Sequence, residues 1–330
     1  MNILFFSAQP YDKSYFTKAN VSHQFQLRFL EYPLNADNTA LVKPGENVVC
    51  AFVNDKLDAT VLTQLKERGI ELIALRAAGF NNVDLKAAAA LKIPVVRVPA
   101  YSPHAVAEHA VTLLMAVNRK ICKAYNRVRE SNFTLNGLEG FDIFGKTVGV
   151  IGTGNIGAVF CKIMLGFGCR VLAHDLYPNE SLQQAGVQYV DVDTILKTSD
   201  IISLHCPLTP ETKHLINEQT IAQTKKGVVI INTSRGGLID TKAVVEALKN
   251  GHIGALGIDV YEQEEHLFFQ DLSGAIIQDD VWARLTTFPN VLITSHQGFF
   301  TQEALTQIAE TTLNNIAKFA NKEPLVNQIV

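Results

Sequence analysis

The sequence predicts an α/β protein built from two doubly wound parallel-sheet domains. Three observations lead there. Short β-rich apolar runs alternate with helix-patterned segments from the first residues onward. That rhythm breaks near residue 100 and restarts at Thr147, which places domain boundaries near 100 and 299. The restart carries Gly152-x-Gly154-x-x-Gly157 between an apolar strand and a helix. A chain of 330 residues has room for two such domains.

The runs 2–6 (NILFF), 48–53 (VVCAFV), 71–75 (ELIAL) and 94–97 (PVVR) read as strands. Residues 56–68 put Leu57, Val61, Leu62 and Leu65 on one helical face. Asp84 precedes an Ala/Leu/Lys run through Ala90 and reads as an N-cap. Ser102–Pro103 opens what periodicity predicts as one long helix over 102–130, with Val106, Ala110, Leu113, Leu114, Val117 and Ile121 apolar. Such a length suggests packing between domains or against a second subunit. Further strands are expected at 147–151, 170–174, 200–205, 228–232, 254–259 and 291–294, and helices at 155–167, 241–249 and 301–320. The last helix, after Gly298, is expected to return to the first domain.

Composition excludes several classes. The chain is 47% hydrophobic and 18% charged, so it is globular. A formal net charge of −3 leaves no basic footprint for nucleic acid or an anionic membrane. The N-terminus, MNILFFSAQPYDK, lacks the basic n-region of a signal peptide, and no stretch approaches the roughly 18 apolar residues of a spanning helix. The five cysteines are scattered without a CxxC pair. That argues for a reducing cytoplasm and against a disulfide framework or a metal site.

The glycine pattern at 152–157 has the flanks its mechanism requires. It offers a tight turn, close backbone approach to a pyrophosphate, and a helix N-terminus behind it. The following strand, RVLAHD, ends in Asp175, eighteen residues after the third glycine. An acidic side chain there is expected to meet the adenosine ribose hydroxyls and to repel a 2′-phosphate, favouring NAD over NADP.

Other strand ends carry chemistry-capable side chains. Arg235 follows strand 228–232 and supplies a planar charged fork suited to a carboxylate. Asp259 ends a strand, and Glu262, Glu264, Glu265 and His266 follow; spacing alone does not choose among them. His205 and Cys206 end another strand before Pro207, where a buried cysteine is the plainer reading than a nucleophile. His296 follows the apolar run Val291–Ile293. It is either a chance loop histidine or a proton donor at the carboxyl end of a sheet. Taken together, a cationic fork, an imidazole and a carboxylate are what a nicotinamide-dependent enzyme acting on a 2-oxo acid needs.

These motifs carry a resemblance. LRAAGFNNVDL (75–85), VRVPAYSPHAVAEHA (96–110), VGVIGTGNIG (148–157), SLHCPLTPET (203–212), INTSRGGLID (231–240), GIDVYE (257–262), QDDVW (278–282) and SHQGFF (295–300) stand in family order over essentially the whole chain. The chain resembles the D-isomer-specific 2-hydroxyacid dehydrogenases, most closely the bacterial fermentative D-lactate dehydrogenases. The resemblance implies catalytic roles for Arg235, Glu264 and His296. It implies a flavodoxin-like substrate domain of residues 1–100 and 300–330 and a Rossmann NAD domain of residues 101–299, with an active-site cleft expected between them. NAD is expected against Gly152, Gly154, Asn155, Ile156, Gly157, Asp175, His205, Cys206, Pro207, Thr233, Ser234 and Asp259. A small 2-oxo acid, pyruvate first, is expected against the backbone of Ala78 and Gly79, against Arg235 and His296, and between Tyr101 and Phe299. A homodimer or homotetramer through the NAD domain is expected. Two departures stand out: Asn155 where relatives often carry a basic residue, and His174 where an apolar one is common. Alternatives within the fold are a preference for hydroxypyruvate, phenylpyruvate or a branched-chain acid, and a non-enzymatic NAD-sensing corepressor.

Overall fold

The computed structural model describes residues 1–330, apart from the side chain of His266. They form two compact units, one of residues 1–102 and 300–330, the other of residues 103–299.

The first unit holds β1 (Asn2–Phe5), β2 (Gln26–Phe29), β3 (Val48–Ala51), β4 (Leu72–Leu75) and β5 (Val95–Val96), in the order β2-β1-β3-β4-β5 and all parallel. This is the doubly wound order of flavodoxin-like sheets. The central strands β3 and β4 are buried throughout, so they read as unbroken apolar runs. The edge strand β2, QLRF, was not expected: it is only partly buried and carries two polar side chains. Asp58 and Asp84 cap helices Ala59–Glu67 and Leu85–Ala90 by accepting from Val61 N and Ala87 N. Helix Gln302–Ala320 packs against β4 and against helix Pro10–Ala19.

The second unit holds β6 (Thr147–Ile151), β7 (Arg170–His174), β8 (Gln188–Tyr189), β9 (Ile201–Leu204), β10 (Val228–Asn232), β11 (Ile253–Ile258) and β12 (Val291–Ile293). Their order is β12-β11-β10-β9-β6-β7-β8, again all parallel. It is a Rossmann sheet with one added strand, and its order reverses between β6 and β9.

The helix expected over 102–130 is two helices, Pro103–Asn118 and Ile121–Arg129. Lys120 adopts a left-handed conformation, φ 51°, at the break. Asn118 turns both side-chain atoms to Phe141: Nδ2 donates to its carbonyl at 2.7 Å and Oδ1 accepts its N–H at 3.0 Å. Apolar spacing runs smoothly across this point, so periodicity carries no sign of a break made by a partner 23 residues away.

The segment after β11 is ordered by aromatic packing. Trp282, on helix Asp280–Leu285, meets the rings of Tyr261 at 5.2 Å and Phe268 at 5.6 Å. Tyr261 Oη donates to the capping residue Asp279 at 2.7 Å.

Candidate active site

Each glycine of the 152–157 loop answers a different demand. Gly152 has φ 95°, and a Cβ there would stand 2.4 Å from Cys206 N. A Cβ at Gly157 would stand 2.0 Å from Gly152 O, so the helix can sit on the loop only without a side chain. Gly154 has open space where its Cβ would be and is the N-cap of helix Asn155–Gly166. The first N–H groups of that helix, from Asn155, Ile156 and Gly157, lack partners within the helix. An unobstructed backbone beside a helix N-terminus fits a dinucleotide pyrophosphate.

Asp175, one residue past β7, is tightly held. Oδ2 accepts from Thr153 N at 2.6 Å and Thr153 Oγ1 at 3.2 Å, and Oδ1 accepts from Tyr177 N at 3.0 Å. Partial burial works to raise its pKa, but these donors prevail and hold the carboxyl below its ordinary range. The polar His174 before it is explained by Nδ1 lying 3.1 Å from Val190 O.

His205 and Cys206 press against the same loop from β9. The His205 ring turns inward, with Nε2 2.8 Å from Ser203 Oγ and its face 4.9 Å from the Phe160 ring. Burial pushes its pKa down to about 3, so it is neutral. Burial pushes the Cys206 thiol up to about 11, which leaves it an inert packing group. Ser234 Oγ donates to Cys206 O at 2.7 Å, joining the ends of β9 and β10. Thr233 Oγ1 beside it is buried and lacks a hydrogen-bond partner. Pro207 is exposed.

Three adjacent strand ends bring the polar side chains together. Asn232 of β10 pairs with Ile258 of β11, which pairs with Ile293 of β12. Arg235 and His296 thus each lie three residues beyond matched positions, flanking the chain that leaves β11. Arg235 Nη1 donates to Ser234 O at 2.7 Å. A Cβ on the next residue, Gly236, would stand 2.1 Å from the Tyr261 carbonyl carbon, so glycine lets the Arg235 loop lie directly on the segment after β11.

The acid run now separates into three roles. Glu264 Oε1 lies 2.9 Å from His296 Nδ1, while its Oε2 accepts from Tyr261 N at 3.0 Å. Glu262 instead pairs with His214 at 2.6 Å. Glu265 is exposed.

Asp259 organises the His296 loop. Oδ1 accepts from Thr294 Oγ1 at 2.5 Å and Gln297 N at 2.8 Å, and Oδ2 accepts from Gly298 N at 2.8 Å. His296 N donates to Asp259 O at 2.7 Å. His109, on helix Pro103–Asn118, sits with Nε2 2.9 Å from Thr294 Oγ1 and 3.4 Å from Asp259 Oδ1. Burial alone would raise the Asp259 pKa; His109, Thr294 and the loop N–H groups hold it below the ordinary range instead. The left-handed turn falls on His296 itself, φ 54°. Gly298 serves close approach: a Cβ there would be 3.0 Å from Asp259 Oδ2.

In the first unit, Ala78 and Gly79 are partly exposed just beyond β4. Arg97 fixes this loop, donating from Nη1 to Ala78 O at 2.8 Å and covering the Phe80 ring at 5.0 Å. Tyr101 is half-buried in its unit, and Phe299, closing the second, is buried.

Sequence reading missed Thr153, Tyr189, His109 and Thr294, and it reached Phe269 only as part of a loop, 263–287, that was a candidate contributor to the pocket. Phe269 lies with its ring centre 5.8 Å from that of His296. Thr153 and His109 lie inside the quoted motifs, but nothing in the sequence singles them out; their partners across the fold do. Among the described residues no cluster of three His, Cys, Asp or Glu could hold a metal ion.

Residues 111–298 match the family model described as "D-isomer specific 2-hydroxyacid dehydrogenase, NAD binding domain". The chain is 55% identical over 329 residues to 2-hydroxyacid dehydrogenase homolog 1 of Schizosaccharomyces pombe, covering 99% of each chain. It is 52% identical over 330 residues to D-lactate dehydrogenase of Escherichia coli, covering 100% of both. Its fold matches the pyruvate reductase of Chlamydomonas reinhardtii with a TM-score of 0.94 at 45% identity, over 99% of this chain and 98% of that one.

Proposed function

The chain belongs to the D-isomer-specific 2-hydroxyacid dehydrogenases, and from that premise we propose that it reduces pyruvate reversibly to D-lactate. It is an oxidoreductase and its cofactor is NAD. The observation that carries the proposal is the Glu264–His296 pair, 2.9 Å apart at a carboxyl end of the parallel sheet and flanked by the Arg235 loop.

Bound nicotinamide supplies the hydride or takes it back. Glu264 engages Nδ1 of His296, which leaves Nε2 to give a proton to the substrate carbonyl oxygen and to recover it in reverse. The carboxylate also gives the ring a charge-assisted partner that fixes its orientation. Arg235 holds the substrate carboxylate with its planar fork. Asn155, Ile156 and the loop glycines take the pyrophosphate. Thr233, Ser234, Pro207 and Asp259 line the nicotinamide side, and His205 and Cys206 back the loop.

Relatives bearing the broader 2-hydroxyacid dehydrogenase name favour a second reading, a preference for another 2-oxo acid. One methylene in an apolar pocket is worth only about 1–3 kcal/mol. A panel of pyruvate, hydroxypyruvate, phenylpyruvate and 2-oxoisocaproate with NADH and NADPH, followed by chiral analysis of the product, decides between them. D-lactate formed with the highest kcat/KM on pyruvate supports the proposal; a higher value on a bulkier acid, or an L-product, refutes it.

A homo-oligomer through the second unit is supported by helix Ile121–Arg129, which exposes Ile121, Tyr125 and Val128 along one face. A cytoplasmic location is supported by five free cysteines. No described helix is long and apolar enough to cross a membrane.

A further inference from the structure

A directional chain of hydrogen bonds ends on Asp175. Asn179 N–H donates to Tyr189 Oη at 2.9 Å, Tyr189 O–H donates to Thr153 Oγ1 at 2.8 Å, and Thr153 O–H donates to Asp175 Oδ2 at 3.2 Å. Each hydroxyl accepts one bond and donates one, so the chain has a single sense and its members polarise one another. It starts at the N-cap residue of helix Glu180–Gln184, crosses β8 through Tyr189, and enters the glycine loop at Thr153. Thr153 is buried, at 4% exposure, and Tyr189 half-buried, so the middle of the chain is shielded from competing water.

A carboxylate has about four acceptor positions. Thr153 N and Oγ1 occupy two on Oδ2, and Tyr177 N occupies one on Oδ1. One position remains, on Oδ1. The neighbours Leu176 and Tyr177 are each 84% exposed, so nothing closes over the carboxylate from its own loop.

We propose that Thr153 and Tyr189 are positioning residues for cofactor choice: they lock the Asp175 carboxylate so that a single Oδ1 acceptor meets one ribose hydroxyl. The discrimination against a 2′-phosphate then depends on a fixed charge rather than on a side chain free to swing away. This rests on the reading of Asp175 as the ribose-binding acid.

The test is a double-mutant cycle read by NADH and NADPH binding, followed through nucleotide fluorescence on the full chain. In the wild-type background Tyr189→Phe and Thr153→Val should each weaken NADH about fivefold, the value of one hydrogen bond, with NADPH changed less. Thr153→Ser, which keeps the hydroxyl, should bind NADH as wild type does. In an Asp175→Ala background Tyr189→Phe and Thr153→Val should have no further effect. An equal loss in both backgrounds overturns the relay, since the residues would then act by packing alone. No loss in the wild-type background overturns it as well. An Asp175→Ala variant that binds NADH normally overturns the ribose assignment itself, and the relay with it.

Discussion

His296 Nδ1 lies 2.9 Å from Glu264 Oε1, although 32 residues separate the two in the chain. Glu264 is itself anchored by Tyr261 N, and His296 is set in a left-handed turn by the Asp259 carboxylate and carbonyl. The imidazole is therefore fixed from two directions, by charge at Nδ1 and by the backbone beneath it.

Removing either partner separates these contributions. His296→Ala is expected to lower kcat about 10²–10⁴-fold in both directions, the usual worth of a positioned acid–base group, with NADH binding retained. Glu264→Gln keeps an acceptor for Nδ1 but not the charge, and is expected to lose about tenfold, less than Glu264→Ala. Steady-state rates with pyruvate and with D-lactate check this. Equal rates for Glu264→Gln and wild type would exclude a role for its charge.

Arg235→Lys tests the fork. Lysine retains the charge but cannot make two parallel bonds to a carboxylate. The kcat/KM for pyruvate is expected to fall on the order of 100-fold, equivalent to about 3 kcal/mol, while NADH binding is unchanged. An unimpaired Lys variant would remove Arg235 from the site.

Asp175 tests cofactor choice against pH. Its pKa is held below the ordinary carboxylate range, so its charge persists as pH falls toward about 4. The contribution of Asp175 to NADH binding, read as the ratio of wild-type to Asp175→Ser affinity, should therefore be the same at about pH 7.5 and at about pH 5. NADPH is left out of that comparison because its 2′-phosphate gains a proton near about pH 6; at about pH 7.5 the preference for NADH over NADPH should collapse in Asp175→Ser. A contribution that fades between those two pH values would show that another, weaker acid sets it.

Asp259→Asn tests the loop beneath His296. Asparagine cannot accept at both ends from Thr294, Gln297 and Gly298, and one end would present donors to donors. Losing this buried anion is expected to cost about 3 kcal/mol at pH 7, together with most of the activity. The folded-state pKa is depressed, so the wild-type advantage is fully present above the unfolded value of about 3.9 and is lost as pH falls through the folded one. Thermal unfolding of both proteins from pH 7 downward should show the gap close in acid. A gap independent of pH would mean that the carboxylate charge is not what stabilises the loop.

The sequence by itself determined the fold class, because buried parallel strands must be apolar on both faces: β3 and β4 are so from end to end, and β9 and β10 are broken only by Ser203 and Asn232. It determined the glycine loop and Asp175, because the three glycines and the acid fall at spacings set within one βαβ unit. Arg235, Glu264 and His296 were legible only as members of motifs. Tertiary structure decided which acid faces the imidazole, because Glu262, Glu264 and Glu265 are alike in composition and differ only in what the fold puts beside them: His214, His296 and solvent. It also decided the break at Lys120, the left-handed turn at His296, and the chain from Tyr189 to Asp175. Each of these depends on hydrogen bonds between residues tens of positions apart, and local periodicity, which reports only which face of an element is apolar, carries no trace of such partners.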